Sequence, residues 1–500
     1  MKPKNLICLG LAAVAALGIL ACGGDDDDDD ENGATAVEGA QDPTPQDDAS
    51  PESTEPEEGD EDEGQDNQAE SACPIGALDE AGEPVSITFW HAMTASNEET
   101  LSELVGEFNA AQDRVEVELI FQGTYNETID KYLTALRSGG DLPDIVQLEE
   151  TTLRLMIDSQ SALPVQECID AEDYDLSDYA ERVLAYFTVE DQIWPMPFSI
   201  SNPVLLYNRN DFEAAGLDPD SPPLTLDELR QAAQAIVDSG AAEYGMSLDT
   251  QAGYIEQLFA LAGVDFANSA NGRDGRATEV LIESETGLEI FSWLGGMVQD
   301  GLALDVGRNP SNADQLLAVG AGQAGMALAT SASLGSVFDI LETGQFPDIE
   351  PGVGPMPSLP GEGGILVSGS ALWISNRSTP AEQEAAWELA KFLGEPQSQA
   401  TWHVGTGYIP IRVSAADLPE VEALWAERPH FRVAYDQLLD GVTNVASSGP
   451  VMGAYIEVRE AVVSAMEAMF LEGASPEDAL AAAAAEANEA IEDYNSRVGG

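Results

Sequence analysis

The sequence predicts an α/β fold spread over more than one hydrophobic core. Two observations carry this. More than 400 residues follow position 72, too many for a single core. Short β-rich runs also alternate with amphipathic helical stretches along that region. Pro84 to Trp90 (PVSITFW) reads as a first strand, and Asn97 to Asn109 as a helix with Leu101, Leu104, Val105 and Phe108 on one face. Val115 to Phe121 reads as a second strand, followed by a helix from about Tyr125 to Ser138. Asp144 to Leu148 (DIVQL) and Pro203 to Tyr207 (PVLLY) supply further strands, and ALWIS around Trp373 is an apolar strand. Helices are expected near 225–238, 286–300, 380–394, 455–472 and 476–495, the last containing the Ala-rich run 479–487.

Ahead of this region, Lys2 and Lys4 precede an apolar run from Leu6 to Leu20, and the chain continues Ala21-Cys22. The run is too short to cross a bilayer comfortably, and a small residue directly before Cys is the pattern cut by a lipoprotein signal peptidase. Residues 1–21 are therefore expected to be a leader, and Cys22 the lipidated first residue of an extracytoplasmic, membrane-anchored protein. The rival, an uncleaved anchor helix, fits poorly with the abrupt change to Gly23-Gly24-Asp25.

Between Gly23 and Ala72 there are 12 Asp, 9 Glu and no Lys or Arg. Such a stretch buries too little apolar surface to offset chain entropy, so 22–72 is expected to be an acidic, disordered tether. A calcium loop is disfavoured, because the run Asp25 to Asp30 lacks the Gly turn and spaced ligands that such a loop needs. The whole chain carries a formal charge of −72, and 73–500 still holds 70 acidic against 17 basic residues. That excludes a phosphate backbone as partner, so no nucleic acid is expected.

Cys8 would leave with the leader and Cys22 would carry lipid, so Cys73 and Cys168 remain. They are either a disulfide, suited to an exported chain and contributing about 4 kcal/mol in the chain-entropy model, or two separate thiols. No zinc or redox spacing occurs, and neither a metal nor a cofactor is expected.

The order of certain segments adds a resemblance. Thr88-Phe89-Trp90-His91, the stretch GTYNETIDKYLTALRSGGDLPDIVQLEE, WPMPFSISNPVLLYNRNDFEAAGLDP and WHVGTGYIPI together resemble extracellular solute-binding proteins of the ABC-importer type, and within them the glycerol-3-phosphate binders. The resemblance runs from about Val85 to Asn495 and implies a type II periplasmic-binding-protein-like fold, with a cleft between two α/β lobes joined by three hinge crossings. Candidate crossings lie near Phe198 to Asn202, Ala329 to Ser333 and Ser368 to Ser375. They place 73–201 with 331–370 in the first lobe, and 202–330 with 371–500 in the second. Such a cleft closes on its ligand by hinge motion.

Carried over residue by residue, the family's ligand positions fall on Tyr125, Glu150, Ser201, Thr330, Gly369, Tyr408 and Arg459. Six keep the family's residue type, and Thr330 replaces Ser while keeping the hydroxyl. The chemistry suits a glyceryl phosphate: a guanidinium fork, hydroxyls and a free backbone N–H for the phosphate, and a carboxylate acceptor for the diol. Taken singly, Arg459 reads as a surface salt-bridge residue, Tyr408 as packing and Glu150 as an acid complementing a helix N-terminus. Where the glycerol-3-phosphate binder has a Trp after its Pro-Pro, this chain has Leu226, which implies a wider cleft and a glycerophosphodiester as ligand. The competing residue reading makes Leu226 a core position of its helix.

The resemblance also implies a monomer that delivers its ligand to the permease subunits of an ABC importer. An oligosaccharide ligand is the alternative within the same class, invited by Trp90, Trp194, Trp293, Trp373, Trp402 and Trp425, although most of these read as core. An extracellular phosphodiesterase or glycosidase is the alternative from another class. It is disfavoured because His91, His403 and His430 stand in no metal-ligand spacing and no nucleophile elbow or phosphate loop is present.

Overall fold

The computed structural model describes residues 72–309 and 313–499, and the expected leader, Cys22 and the tether as far as residue 71 lie outside the described residues. The strands are β1 (Val85–His91), β2 (Val115–Phe121), β3 (Ile145–Glu149), β4 (Ala162–Leu163), β5 (Met196–Ser201), β6 (Pro203–Asn208), β7 (Met246–Leu248), β8 (Ala303–Asp305), β9 (Met326–Thr330), β10 (Pro351–Pro355) and β11 (Ser368–Ser375). The principal helices are α1 (Ala95–Ala111), α2 (Tyr125–Ser138), α3 (Leu153–Ser159), α4 (Leu226–Ser239), α5 (Ala252–Leu261), α6 (Glu285–Gln299), α7 (Leu334–Glu342), α8 (Pro380–Leu393), α9 (Pro396–Thr406), α10 (Val433–Asp440), α11 (Tyr455–Glu467) and α12 (Pro476–Val498).

Local chemistry explains several boundaries. Thr124 with Glu127, Thr225 with Glu228 and Thr379 with Glu382 form reciprocal capping boxes that start α2, α4 and α8, each satisfying backbone N–H groups left bare at a helix start. Gly139 and Gly240 end α2 and α4 in the left-handed conformation.

These strands form two sheets, and a separate short hairpin pairs Thr188–Val189 with Gln192–Ile193. In the first the order is β2-β1-β3-β11-β4, with β5 also paired to β11. β1 runs parallel to β2 and β3, and β11 runs antiparallel to β3. In the second the order is β8-β7-β9-β6-β10, with β7 parallel to both β8 and β9. The central strands are almost wholly buried, with Phe89, Ile145, Leu148, Phe198, Leu372 and Trp373 inside the first lobe and Val204, Leu205, Met246 and Met326 inside the second, whereas β2 at the edge alternates buried and exposed residues. This is a two-lobed α/β fold of the expected type.

The chain changes sheet at Asn202, the single residue between β5 and β6. Its side chain is fully buried; Nδ2 donates to the carbonyl of Ala434 at 3.0 Å and Oδ1 accepts from Gln437 at 2.7 Å, so the crossing is held from a third segment.

Two expected boundaries need correction. The stretch Ser368 to Ser375 is not a crossing but strand β11 of the first sheet, because its apolar run ALWIS pairs directly with β3; the change of sheet falls within 356–367. Accordingly 331–370 does not lie wholly with the first lobe, since β10 pairs with β6 in the second sheet. Nor does 371–500 lie wholly with the second, since α8 packs on β1 and β11, and α9 on α1. Helix α7, after the turn at 331–333, packs on α9, whereas α11 and α12 pack on each other and on α5 and α6 of the second lobe. Cys73 and Cys168 are joined by a disulfide with 5.0 Å between their Cα atoms, tying the start of the folded region to the first lobe.

Candidate functional site

At the end of β3 the chain tightens into a 3₁₀ turn over Glu150–Thr152, which turns the Glu150 side chain inward until only 4% of it is exposed. Its Oε2 accepts the backbone N–H of Gly369 at 2.9 Å, and its Oε1 accepts from Nη2 of Arg459 at 3.3 Å. Gly369 has φ +112°, and a Cβ there would stand 2.0 Å from the carbonyl oxygen of Ser199, so glycine is required for this close approach. Glu150 and Gly369 belong to the first lobe, whereas Arg459 projects from the second turn of α11 in the second.

Arg459 is more heavily engaged than the sequence reading anticipates. Its Nε and Nη2 donate to Oε1 and Oε2 of Glu256, on α5, at 2.9 and 2.7 Å. Glu149 Oε1 lies 3.7 Å from Nη1, and the guanidinium stands 5.1 Å from the ring centre of Tyr455. The Tyr455 hydroxyl donates in turn to Glu256 at 3.0 Å. Three carboxylates therefore converge on one guanidinium that is 24% exposed. Burial alone would make Arg459 easier to deprotonate, but Glu256 outweighs it and holds the cation firmly charged. Burial, reinforced by the like charge of Glu149, pushes the Glu150 carboxyl up to about 8 despite Arg459. Near neutral pH Glu150 is therefore mostly protonated and able to donate as well as accept.

Two tyrosines stand beside this cluster. Tyr408 is buried, stacked on Trp402 at 5.4 Å between ring centres, and Trp402 stacks on Phe198 at 4.9 Å. Its backbone is fixed on every side: Gly407 adopts φ +88°, Thr406 Oγ1 accepts the Tyr408 N–H at 3.1 Å, and Ile409 N–H donates to Ile200 of β5 at 2.6 Å. The Tyr408 carbonyl accepts from Nδ1 of buried His403 at 2.7 Å, while Nε2 of that ring accepts from Trp425 at 2.9 Å. Both contacts suit the neutral ring, and burial lowers its pKa to about 4. Tyr125, at the first position of α2, brings its buried hydroxyl beside those of Tyr408 and Ser370. In the first sheet below, Gln147 Nε2 donates to Ser199 and Ser370 at 3.0 and 2.8 Å, tying β3, β5 and β11 together.

Of the seven residues expected at a ligand site, Glu150, Gly369 and Arg459 are joined by direct hydrogen bonds, and Tyr125 and Tyr408 sit together beside them. Ser201 and Thr330 close β5 and β9 at the crossing, where Thr330 pairs with Pro203 and Ser201 with Ser368. Leu226 lies elsewhere. It is the buried first residue of α4, its carbonyl accepts from Trp293 at 2.9 Å, and with Leu229, Ile255, Leu258 and Met466 it lines an apolar cavity of about 20 Å³, room for one water. That places it in the packing of the second lobe and not among the groups around Arg459, in line with the core reading of the position. Glu256 and Tyr455 escaped the sequence reading. Tyr455 could have been found four residues before Arg459 on one helix face, whereas nothing local links Glu256 to a residue 203 positions away.

A model of the family described as bacterial extracellular solute-binding protein matches residues 103–432, well over half of the chain. The protein belongs to that family. It is an extracytoplasmic solute-binding protein of ABC transport. Among curated relatives, the sn-glycerol-3-phosphate-binding periplasmic protein UgpB of Rhizobium meliloti is 29% identical over 424 residues, covering 83% of this chain and 96% of the relative. The protein of the same name from Agrobacterium fabrum is 28% identical over 422 residues, covering 83% and 93%. Among solved structures, UgpB from Mycobacterium tuberculosis in complex with glycerophosphocholine has a TM-score of 0.67 at 21% identity, covering 82% of this chain and 99% of that one. The sugar-binding protein MalE from Xanthomonas citri has a TM-score of 0.68 at 21% identity, covering 83% and 99%. Both likenesses are of fold.

Proposed function

We propose that the protein is the non-catalytic, lipid-anchored receptor of an ABC importer, which captures glycerol 3-phosphate or a glycerophosphodiester between its lobes and hands it to the permease. The observation that carries this reading is the convergence of Arg459 from the second lobe with Glu150 and Gly369 from the first. A ligand seated there touches both lobes and favours the closed form, which turns binding into a shape the permease can read. The relatives named for sn-glycerol 3-phosphate support the ligand class, as does the resemblance at six of the seven expected positions, with Thr330 in place of Ser at the seventh. In this reading the Nη1/Nη2 edge of Arg459, which faces Glu149 and Glu150, meets the phosphoryl oxygens, while protonated Glu150 and the hydroxyls of Tyr125, Tyr408, Ser201 and Thr330 serve the rest of the ligand.

One observation favours a second reading, a neutral oligosaccharide: three carboxylates around one guanidinium are well suited to accept from sugar hydroxyls. Isothermal titration of the full-length chain with glycerol 3-phosphate, glycerophosphocholine and maltose separates the two. The expected result is saturable binding of a phosphorylated ligand that weakens about a hundredfold or more in Arg459→Ala; binding of maltose alone overturns the glycerophosphoryl reading. The anchor at Cys22 is tested by fatty-acid labelling of the expressed protein, which is expected to be lost in Cys22→Ser.

A further inference from the structure

Resting on the glycerophosphoryl reading, we propose that Glu256 sets the charge of the ligand the cleft accepts, disfavouring dianionic phosphomonoesters relative to monoanionic phosphodiesters. A guanidinium offers two forked edges to an oxyanion. In Arg459 the Nε/Nη2 edge is filled by both oxygens of Glu256, an almost fully buried carboxylate that Tyr455 also holds. The remaining edge, Nη1 with Nη2, faces Glu149 and Glu150.

A phosphoryl group arriving at that edge therefore meets a cation already neutralised by Glu256, with the charge of Glu149 beside it. Each added negative charge on the ligand is opposed in a site too buried for bulk water to screen well. A phosphodiester group carries one negative charge at every pH near neutrality, offset in glycerophosphocholine by the ligand's own quaternary ammonium, whereas a phosphomonoester gains its second at about pH 6. The groups that face Arg459 are Glu149 and Glu150 from the end of β3, Glu256 from α5 and Tyr455 from its own helix, with Tyr186 close enough to feel the charges of Glu150 and Arg459. Arg459 is the cation that these carboxylates contact; Arg273 stands behind Tyr186, 5.6 Å from its ring centre, with its donors taken by the carbonyls of Ala185, Tyr186, Thr188, Ser448 and Gly449. The α5 backbone also comes close, since a Cβ on Gly253 would lie 3.8 Å from Nη2.

The test is isothermal titration of the full-length chain and of Glu256→Gln with sn-glycerol 3-phosphate and glycerophosphocholine at pH 7.5 and fixed salt, with thermal unfolding as a check on folding. Wild type is expected to bind the diester more tightly. Glu256→Gln is expected to raise affinity for the monoester at least about tenfold more than for the diester, because the substitution removes one full charge while keeping the amide shape. A folded Glu256→Gln with an unchanged ratio overturns the proposal. If that variant does not fold, wild type alone decides: its affinity for the monoester must fall as pH rises from 5.5 to 8 while that for the diester falls less, and parallel profiles overturn the proposal. Binding of neither phosphorylated compound alongside binding of maltose overturns the glycerophosphoryl reading and this inference together. Binding of both with a ratio indifferent to Glu256 overturns the inference alone.

Discussion

Glu150 and Asp158 stand eight positions apart at the edge of the first lobe, with side chains 4% and 5% exposed, yet their surroundings move them in opposite directions. For both, burial favours the neutral form. Asp158 overcomes it, because Arg154 of its own helix and Arg276 of the second lobe each donate twice at 2.7 to 2.9 Å, and the Tyr494 hydroxyl donates at 3.0 Å. Its carboxyl is held below the usual range. Glu150 shares one guanidinium with two other acids and rises to about 8. What separates the two is the ratio of cations to carboxylates. Two arginines on one acid make a saturated clamp between lobes, whereas three acids on one arginine leave hydrogen-bonding capacity that a ligand can complete. A similar saturated strap is Arg273 of the second lobe, whose guanidinium donates to the carbonyls of Ala185, Tyr186, Thr188, Ser448 and Gly449.

The largest expected effect that would break this contrast is on the clamp. Asp158→Asn leaves Arg276 without its carboxylate and Arg154 with only the exposed Glu190, and is expected to cost about 3 kcal/mol, lowering Tm by several degrees in thermal unfolding. Ligand affinity should move far less than in Arg459→Ala. An equal loss of affinity would place Asp158 in the binding cluster after all.

Glu150 is expected to show the opposite sign. Its ordinary value is 4.5 and its folded value about 8, so between these the folded protein keeps a proton that the unfolded chain has released, and stability falls as pH rises across that interval. Glu150→Gln removes this dependence and should raise the Tm of the unliganded protein at pH 8 by about 2 to 5 °C relative to pH 5. Asp158, with its lowered value, contributes stability that is present above its unfolded pKa and lost only as pH falls through the folded one. A Glu150→Gln variant with the wild-type pH profile would mean that the carboxylate is ionised in the fold.

The smallest effect concerns Leu226→Trp. A cavity of about 20 Å³ cannot hold an indole, so overpacking of about 1 to 3 kcal/mol is expected. The ratio of diester to monoester affinity should stay within about twofold if the residue only packs. A tenfold change in that ratio would put Leu226 in the cleft.

Much of the fold was legible because it is local. The helix expected from about Tyr125 to Ser138 and the strand expected at Val115 to Phe121 have those limits in the fold, the helix bounded by a Thr-x-x-Glu box at one end and a Gly at the other. The short strands β7 and β8, of three residues each, were not legible, since so few positions carry no period. Strand β11 was read correctly at ALWIS, but Ser368, Gly369 and Ser370 at its head look like a linker. Only the neighbouring Ser199 carbonyl and Glu150 carboxylate give those small residues their place.

By itself the sequence determined the α/β class, the approximate helix positions, the resemblance to a binding-protein family, and a site set of which four members gather around the guanidinium of a fifth, Arg459. Tertiary structure alone decided which carboxylates share that guanidinium. Glu150, Glu256 and Arg459 lie on three separate elements, and the charge states of Glu150 and Arg459 depend on distances and burial that no local pattern records. The hydrophobic periods that build lobes repeat every two or three to four residues and can be read along the chain. The electrostatic balance of a cleft is a sum over groups brought together from far apart, and it exists only once the chain has folded.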